Sequence, residues 1–415
     1  MYKTVSKCRL CGGAELQSAF NLGVQHLTGV FPKSVDEPIT AGPVELVKCM
    51  AAGGCGLVQL RQSYNSEEMY GANYGYRSGL NPSMVRHLAS KVEAILKTGV
   101  LRDGDVVVDI GSNDGTTLRA YPQGKYELVG IDPTGVKFAQ YYPASIRLIP
   151  EFFSADAIAQ ALGGRKAKVI TSFSMFYDLE DPTAFAREIH GALDDEGMWV
   201  CEQSYLPAML DTNSFDTICH EHLEFYTLKQ VQWVAEKVGL RLIDVEFNAV
   251  NGGSFSFAAV KAGSTRTGRP EVVAQALAHE VSHGLDGMAV FTDFQARVQD
   301  ARKNLVAFLH QAAADNKRVY GIGASTKGNV LLQYFGIGPA LLPQIGEVNP
   351  DKFGAFTPGT HIPLVPEDAV LASNPDYLLV FPWHFRDFFL SNPKFKGRTL
   401  VFPLPALEVV VAGGV

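Results

Sequence analysis

Twice along this chain an apolar run ends in a glycine-rich turn that opens a helix. The first run, over 106–110, leads into Asp109-Ile110-Gly111-Ser112-Asn113-Asp114-Gly115, and the second, over 318–322, leads into Gly321-Ile322-Gly323-Ala324-Ser325-Thr326-Lys327-Gly328. A continuously apolar strand feeding straight into a helix is one covered on both faces, which is the pattern of parallel sheets in α/β proteins. Further apolar runs follow each opening, over 127–131, 169–173 and 198–201 after the first and over 343–348, 377–381 and 400–402 after the second. A polar stretch at 263–270 and two helical segments, 271–285 and 291–314, separate the two sets. Two successive α/β units are therefore expected. At about 100–200 residues per domain, the 415 residues leave room for a third, smaller piece ahead of them.

That piece carries four of the six cysteines. Cys8-x2-Cys11 and, some forty residues on, Cys49-x5-Cys55 offer two thiolate pairs, the donor set of a tetrahedral structural zinc site. Four Cys ligands leave no coordination position for water, so the metal is expected to hold the fold and not to catalyse. The expected organisation is a zinc-binding domain over 1–68, an α/β domain over 69–262 and a second Rossmann-like domain over 263–415. The formal net charge is −7 and no basic block occurs, which excludes a sequence-independent nucleic-acid surface. No run of about 18 apolar residues is present and Met1-Tyr2-Lys3-Thr4 opens no apolar leader, so a cytoplasmic protein without a membrane span is expected.

The first turn spaces its glycines four apart and has no G-x-G-x-x-G, so it is not built for a pyrophosphate on a helix N-terminus. It suits a ligand that is an amino acid at one end and a nucleoside at the other. The second strand ends in Ile131-Asp132, where an acid can accept from two ribose hydroxyls. Asp-x-Gly-x-x-x-Gly with that acid resembles the class I S-adenosylmethionine (SAM) methyltransferases. The cofactor set expected from this resemblance is Asp109, Gly111, Ser112, Asn113, Asp114, Gly115 and Asp132, with Ser174 after the third strand.

Between the strands and the polar break lies Phe215-Asp216-Thr217-Ile218-Cys219-His220-Glu221-His222. Histidines two apart cannot share a helical face, so this is no H-E-x-x-H metal motif. General acid-base chemistry is the better use, since a neutral imidazole can take a proton from a carbon next to a carbonyl.

In their order along the chain, these motifs resemble the sugar C-methyltransferases that act on nucleotide-linked 4-keto-6-deoxysugars. The resemblance rests on the Cys pairs, Tyr74-Gly75-Tyr76-Arg77-Ser78-Gly79, Gly111 to Gly115, Phe215 to His222 and Asn251-Gly252-Gly253-Ser254, and continues in Gly321 to Asn329 and Pro358-Gly359-Thr360-His361-Ile362-Pro363. It implies removal of the C3 proton, α to the C4 ketone, and attack of the enolate carbon on the SAM methyl group. It implies His222 as the base or its immediate partner, Glu221 as its orienter, and Tyr76 and His220 as donors near the enolate oxygen. Two positions depart from the family: Cys219 stands where a tyrosine is frequent, and Asp178 closes Ser174-Met175-Phe176-Tyr177-Asp178 where a histidine is frequent. Tyr177 is the residue expected to replace a lost hydroxyl.

The second turn has Thr326 where a dinucleotide fingerprint wants its third glycine, although Glu347 stands where a ribose-binding acid would. Backbone amides and Lys327 at a helix N-terminus suit a diphosphate. Ser325, Lys327 and Asn329, with Asn349 and His361, are therefore expected at the nucleotide-sugar. An NAD-linked oxidoreductase or epimerase using this turn, and a non-catalytic SAM or nucleotide-sugar binder, are the competing expectations.

Overall fold

The computed structural model describes residues 2–65, 68–69 and 77–413, so Tyr76 and the expectation placed on it lie outside the described residues. Three sheets carry the fold. The first is antiparallel, with β1 (Leu16–His26), β2 (Ala41–Cys49) and β3 (Val58–Leu60) in sequence order. Its free edge is taken by a two-residue strand from far downstream, Glu224–Phe225, which pairs with β3.

The second sheet has seven strands. β4 (Val106–Ile110), β5 (Glu127–Ile131), β6 (Ile146–Ile149), β7 (Ala167–Phe173) and β8 (Leu193–Ser204) lie parallel in the order β8-β7-β4-β5-β6. The hairpin β9 (Leu240–Asn248) and β10 (Ser254–Lys261) completes the sheet, with β10 antiparallel between β8 and β9. All five residues of β4 are buried, as a Val-Val-Val-Asp-Ile run covered on both faces requires. From β4 the chain winds outward to β6 and then returns to β7 on the other side, so a crevice opens beyond the carboxyl ends of β4 and β7.

The third sheet repeats the plan. β11 (Val319–Ile322), β12 (Ile345–Glu347), β13 (Leu364–Pro366), β14 (Tyr377–Val380) and β15 (Thr399–Phe402) are parallel in the order β13-β12-β11-β14-β15, and β16 (Glu408–Val411) closes the edge antiparallel. Its switch point lies between β11 and β14.

Helices place these sheets. α1 (Pro82–Lys97) is started by Asn81, whose side chain accepts from the Ser83 amide, and by a proline in its first turn. α2 (Leu228–Lys237) has its orphan amides met from another helix: Glu280 of α3 (Pro270–Ser282) accepts from the amides of Leu228 (2.6 Å) and Lys229 (3.1 Å) and from the Tyr205 hydroxyl (3.0 Å). Val273 and Ala276 of α3 accordingly sit in the core of the second sheet, whereas Phe291 and Phe294 of α4 (Ala289–Ala314) sit with the third. The expected break at 263 thus precedes a helix that still packs on the middle unit. α5 (Thr326–Phe335) follows β11.

The N-terminal piece is shared between the two α/β units. Phe20, Leu46 and Val58 of its sheet join one continuous core with Phe215, Ile218, Ile322, Val330 and Phe381, while Cys8, Cys49 and Cys55 pack in the core that holds Ile110, Trp199 and Val231. Among the described residues no helix is long and apolar enough to cross a membrane.

Candidate functional site

The four N-terminal cysteines converge. Their sulfurs all lie within 4.8 Å of one another, Cys8 to Cys55 at 3.4 Å and Cys11 to Cys49 at 3.5 Å. A tetrahedral zinc with Zn–S bonds of about 2.3 Å holds its sulfurs about 3.8 Å apart, so the cluster fits that ion. The wide 50–54 linker closes because the Gly54 amide bonds the Ala51 carbonyl (2.8 Å). A Cβ on Gly54 would stand 2.8 Å from that same carbonyl oxygen and 3.1 Å from the Cys49 sulfur.

At the first glycine turn the expected residues divide. Gly111 and Gly115 both have left-handed backbones (φ +65° and +73°), and a Cβ on Gly115 would meet the Tyr142 ring at 3.2 Å. Asp132, at the end of β5, takes the Asn113 amide on one oxygen (2.7 Å) and the Thr134 amide and hydroxyl on the other (both 2.7 Å). Of its roughly four lone-pair sites, one is left among the described residues, enough to accept from a ribose hydroxyl. The remaining polar groups are otherwise engaged. Asp109 is buried inside the sheet against the Thr171 hydroxyl (2.5 Å), and burial pushes its carboxyl up to about 7. Ser112 accepts from the Tyr142 hydroxyl (2.9 Å). Asn113 and Asp114 take the amides of Ser78 and Gly79 (both 3.1 Å), and Asp114 also caps Thr116. Both side chains therefore clamp the 77–80 segment over the turn. Ser174 is exposed at the end of β7 with φ +55°, its amide bonded to the Glu202 carbonyl (2.7 Å).

The His-Glu-His loop lies where the three units meet. His222 bonds through Nδ1 to the Thr217 carbonyl (2.7 Å). A carbonyl only accepts, so Nδ1 carries the proton and Nε2 keeps its lone pair. Burial lowers the pKa of this half-buried ring, the Glu221 carboxylate partly opposes that, and Lys327 adds to it. The Thr217 carbonyl thus fixes the tautomer of His222 from the backbone. The Tyr177 ring meets His222 edge-on at 4.7 Å. Glu221 sits against the N-terminal piece: a Cβ on Gly29 would stand 2.6 Å from its Oε1. Burial pushes the Cys219 thiol well up, with Glu221 beside it, so the cysteine is a neutral thiol. His220 turns the other way, fully buried under the Tyr64 ring at 4.6 Å, and its ring nitrogens have no hydrogen-bond partner among the described residues. It packs against Tyr64 of the N-terminal piece, on the side away from the Thr217 contact of His222.

The second glycine turn is filled by its own neighbours. Ser325 caps α5, accepting from the Gly328 amide (3.0 Å). Asn329 is buried and donates to the Thr28 carbonyl (2.7 Å), docking the N-terminal piece where a diphosphate contact was expected. Asn349 accepts from the Asp351 amide (3.1 Å) and His361 is exposed with φ +57°. Glu347 takes the amides of Val348 (2.7 Å) and Asn349 (2.9 Å), which spends it on its own loop. The close helix–strand approach expected of a third glycine falls to Gly328 and not to position 326, since a Cβ on Gly328 would meet Phe381 at 3.0 Å. Lys327 leaves this turn altogether and donates to the Asn251 carbonyl (2.8 Å) at the tip of the β9–β10 hairpin.

A groove of about 930 Å³ on the α1 face of the second sheet, bordered by Ile95, Arg102, Lys168 and Ile243, lies toward the opposite strand ends and away from these groups.

A glycine turn and an acid at the switch point of a seven-stranded sheet with one antiparallel strand define a methyltransferase of the SAM-dependent kind. Residues 81–245 match the family model of a methyltransferase domain, 249–405 that of the C-methyltransferase C-terminal domain, and 8–70 a model described as "Putative zinc binding domain". The chain is 28% identical over 417 residues to C-methyltransferase NovU of Streptomyces niveus, covering 99% of this chain and 98% of that one. Solved structures similar to it include magnesium protoporphyrin IX methyltransferase (ChlM) from Synechocystis PCC 6803 with bound SAM (15% identity, 43% of this chain and 81% of that one, TM-score 0.33). The CcbJ methyltransferase from Streptomyces caelestis is another (13% identity, 41% and 89%, TM-score 0.32). The family models and the full-length relative support a SAM-dependent C-methyltransferase, with a four-cysteine zinc-binding domain at its N-terminal end.

Proposed function

We propose that this C-methyltransferase acts on a nucleotide-diphosphate-linked 4-keto-6-deoxysugar and methylates it at C3. The observation that carries the reading is His222, a half-buried imidazole with Nδ1 held by the Thr217 carbonyl and a free lone pair on Nε2. A hydrogen on a carbon next to a ketone is acidic enough for such a base, and its removal leaves an enolate carbon as nucleophile. SAM, when bound, supplies the methyl group as an electrophile on its sulfonium. In this reading Asp132 holds the ribose hydroxyls, Gly111 and Gly115 let the backbone approach the cofactor, and Tyr177 presents its hydroxyl beside the sugar. Glu221, against Gly29, keeps a negative charge near His222 and so steadies the imidazolium that forms. The units expected over 1–68, 69–262 and 263–415 would supply, in turn, the zinc-held support, the cofactor and base, and the wall toward the nucleotide-sugar.

The test is incubation with SAM and a panel of thymidine- and guanosine-diphosphate-linked 4-keto-6-deoxyhexoses, each sugar nucleotide being read by mass spectrometry. A gain of one methylene on a member of the panel is expected, together with exchange of the C3 hydrogen for deuterium when SAM is left out. Absence of both in a protein that binds SAM would overturn the ketosugar reading.

A further inference from the structure

An enolate needs a positioned donor at its oxygen, and His220 turns away from the site. One cation is built into the right place. Lys327 starts in the C-terminal unit, and its Nζ crosses to the middle unit, donating to the Asn251 carbonyl (2.8 Å) and passing 3.9 Å from where a Cβ on Gly252 would stand. The start of its helix meets the His-Glu-His loop at Gly29, where a Cβ would stand 2.6 Å from Glu221 Oε1 and 3.9 Å from the Thr326 hydroxyl, and the charge of Lys327 is felt by Asp216, His222 and His384, while burial lowers its own pKa against the opposing pull of Asp216. Asp216 does not pair with it closely: its Oδ2 takes the Trp383 indole N–H (2.8 Å), and Lys327 makes no ion pair among the described residues. His384 leaves a buried Nδ1 without a partner on the same side, and burial together with Lys327 holds its ring neutral. A half-buried lysine with one backbone carbonyl as its hydrogen-bond partner has donors to spare for an anion that forms during the reaction.

We propose that Lys327 is a catalytic residue of this site, donating to the C4 oxygen of the ketosugar and holding the enolate oxygen that forms there. The proposal rests on the ketosugar reading above. The C3–H bond breaks with its proton going to His222 Nε2, and its electron pair forms the C3=C4 bond while the carbonyl pair moves onto the oxygen beside Lys327. The enolate carbon then forms its bond to the methyl group as the C–S pair returns to sulfur and the C4 carbonyl is restored. A diphosphate contact is the role that this displaces, because the turn's own helix start is capped by Ser325 and the Lys352 ammonium is shared between the Ala324 carbonyl (2.8 Å) and the Glu347 carboxylate (3.7 Å).

The variants Lys327→Met and Lys327→Gln, checked for an unchanged melting transition, test this in the full chain. Both methyl transfer at saturating substrate and SAM-independent C3 deuterium exchange are expected to fall about 10²–10³-fold. KM and the calorimetric affinity for thymidine or guanosine diphosphate alone are expected to stay within about threefold of the parent. If kcat and exchange hold while KM and the nucleoside-diphosphate Kd rise, Lys327 is a diphosphate contact and the proposal falls. A variant that melts early is set aside for the other, and unchanged turnover in either folded variant overturns the role. Should the parent protein itself neither exchange nor methylate, the ketosugar reading fails and takes this proposal with it; an active parent with an active Lys327→Met removes the lysine's role alone.

Discussion

The two glycine-rich turns occupy matching places, each after the first strand of a parallel sheet and at its switch point, and they spend their polar groups differently. At the first, the acid at the next strand's end reaches back to the turn, since Asp132 holds the Asn113 amide with one lone-pair site left over. At the second, Glu347 folds onto Val348 and Asn349, Ser325 fills the helix start, and Asn329 is used to dock Thr28. The same strand-turn-helix opening is therefore bridged to the next strand's acid in one unit and used for helix capping and assembly in the other. What decides is not the turn but which neighbours reach its amides and its acid first.

The largest effect bearing on this division comes from a residue in neither turn. His222→Ala is expected to lower methyl transfer by about 10²–10⁴-fold and to abolish C3 exchange while SAM affinity, measured by calorimetry, is unchanged; weakened SAM binding would move His222 into the cofactor half. Next, Asp132→Ala is expected to weaken SAM about 10–100-fold through the loss of charge-assisted hydrogen bonds, whereas Glu347→Ala leaves SAM and the sugar nucleotide bound as before. Equal losses from both would erase the contrast. The pH profile has a definite sign. Burial and Lys327 lower the His222 pKa from 6.5 more than Glu221 restores it, and the base works unprotonated, so the exchange rate is expected to be level at neutral pH and to fall only below 6.5. An acid limb centred above 6.5 would contradict this. The smallest effect belongs to the second turn: Ser325→Ala is expected to cost about 1 kcal/mol of stability by urea unfolding, with KM for the sugar nucleotide unmoved.

Both turns could be read from the sequence because the signal is local, an apolar run, a glycine at positive φ and a helix start within ten residues. The cysteine pairs were legible for the same reason. Where partners come from far along the chain, the reading fell short. Asn113 and Asp114 face the amides of Ser78 and Gly79, more than thirty residues earlier, so their positions in the motif gave no hint of the clamp. Lys327 reads as a phosphate ligand at a helix start, and only the folding of the 206–223 segment into the C-terminal core brings Asn251 and Asp216 to it. The hairpin β9–β10 escaped notice because β9 alternates imperfectly and its turn, Asn251-Gly252-Gly253, holds three residues at positive φ. Tyr142 and Gly29 carry no motif at all and declare themselves only through what a Cβ would strike.

The strand Glu224–Phe225 starts two residues after His222 and pairs with β3 of the N-terminal sheet, while the Leu223 carbonyl accepts from the Leu60 amide (2.8 Å). Without that strand the β3 edge of the N-terminal sheet would present unsatisfied amides and carbonyls able to template pairing with another chain. That edge is sealed only when the segment bearing His222 has been made and laid against it. One short strand thus ties the sealing of that edge to the seating of His222, so whatever loosens the one loosens the other.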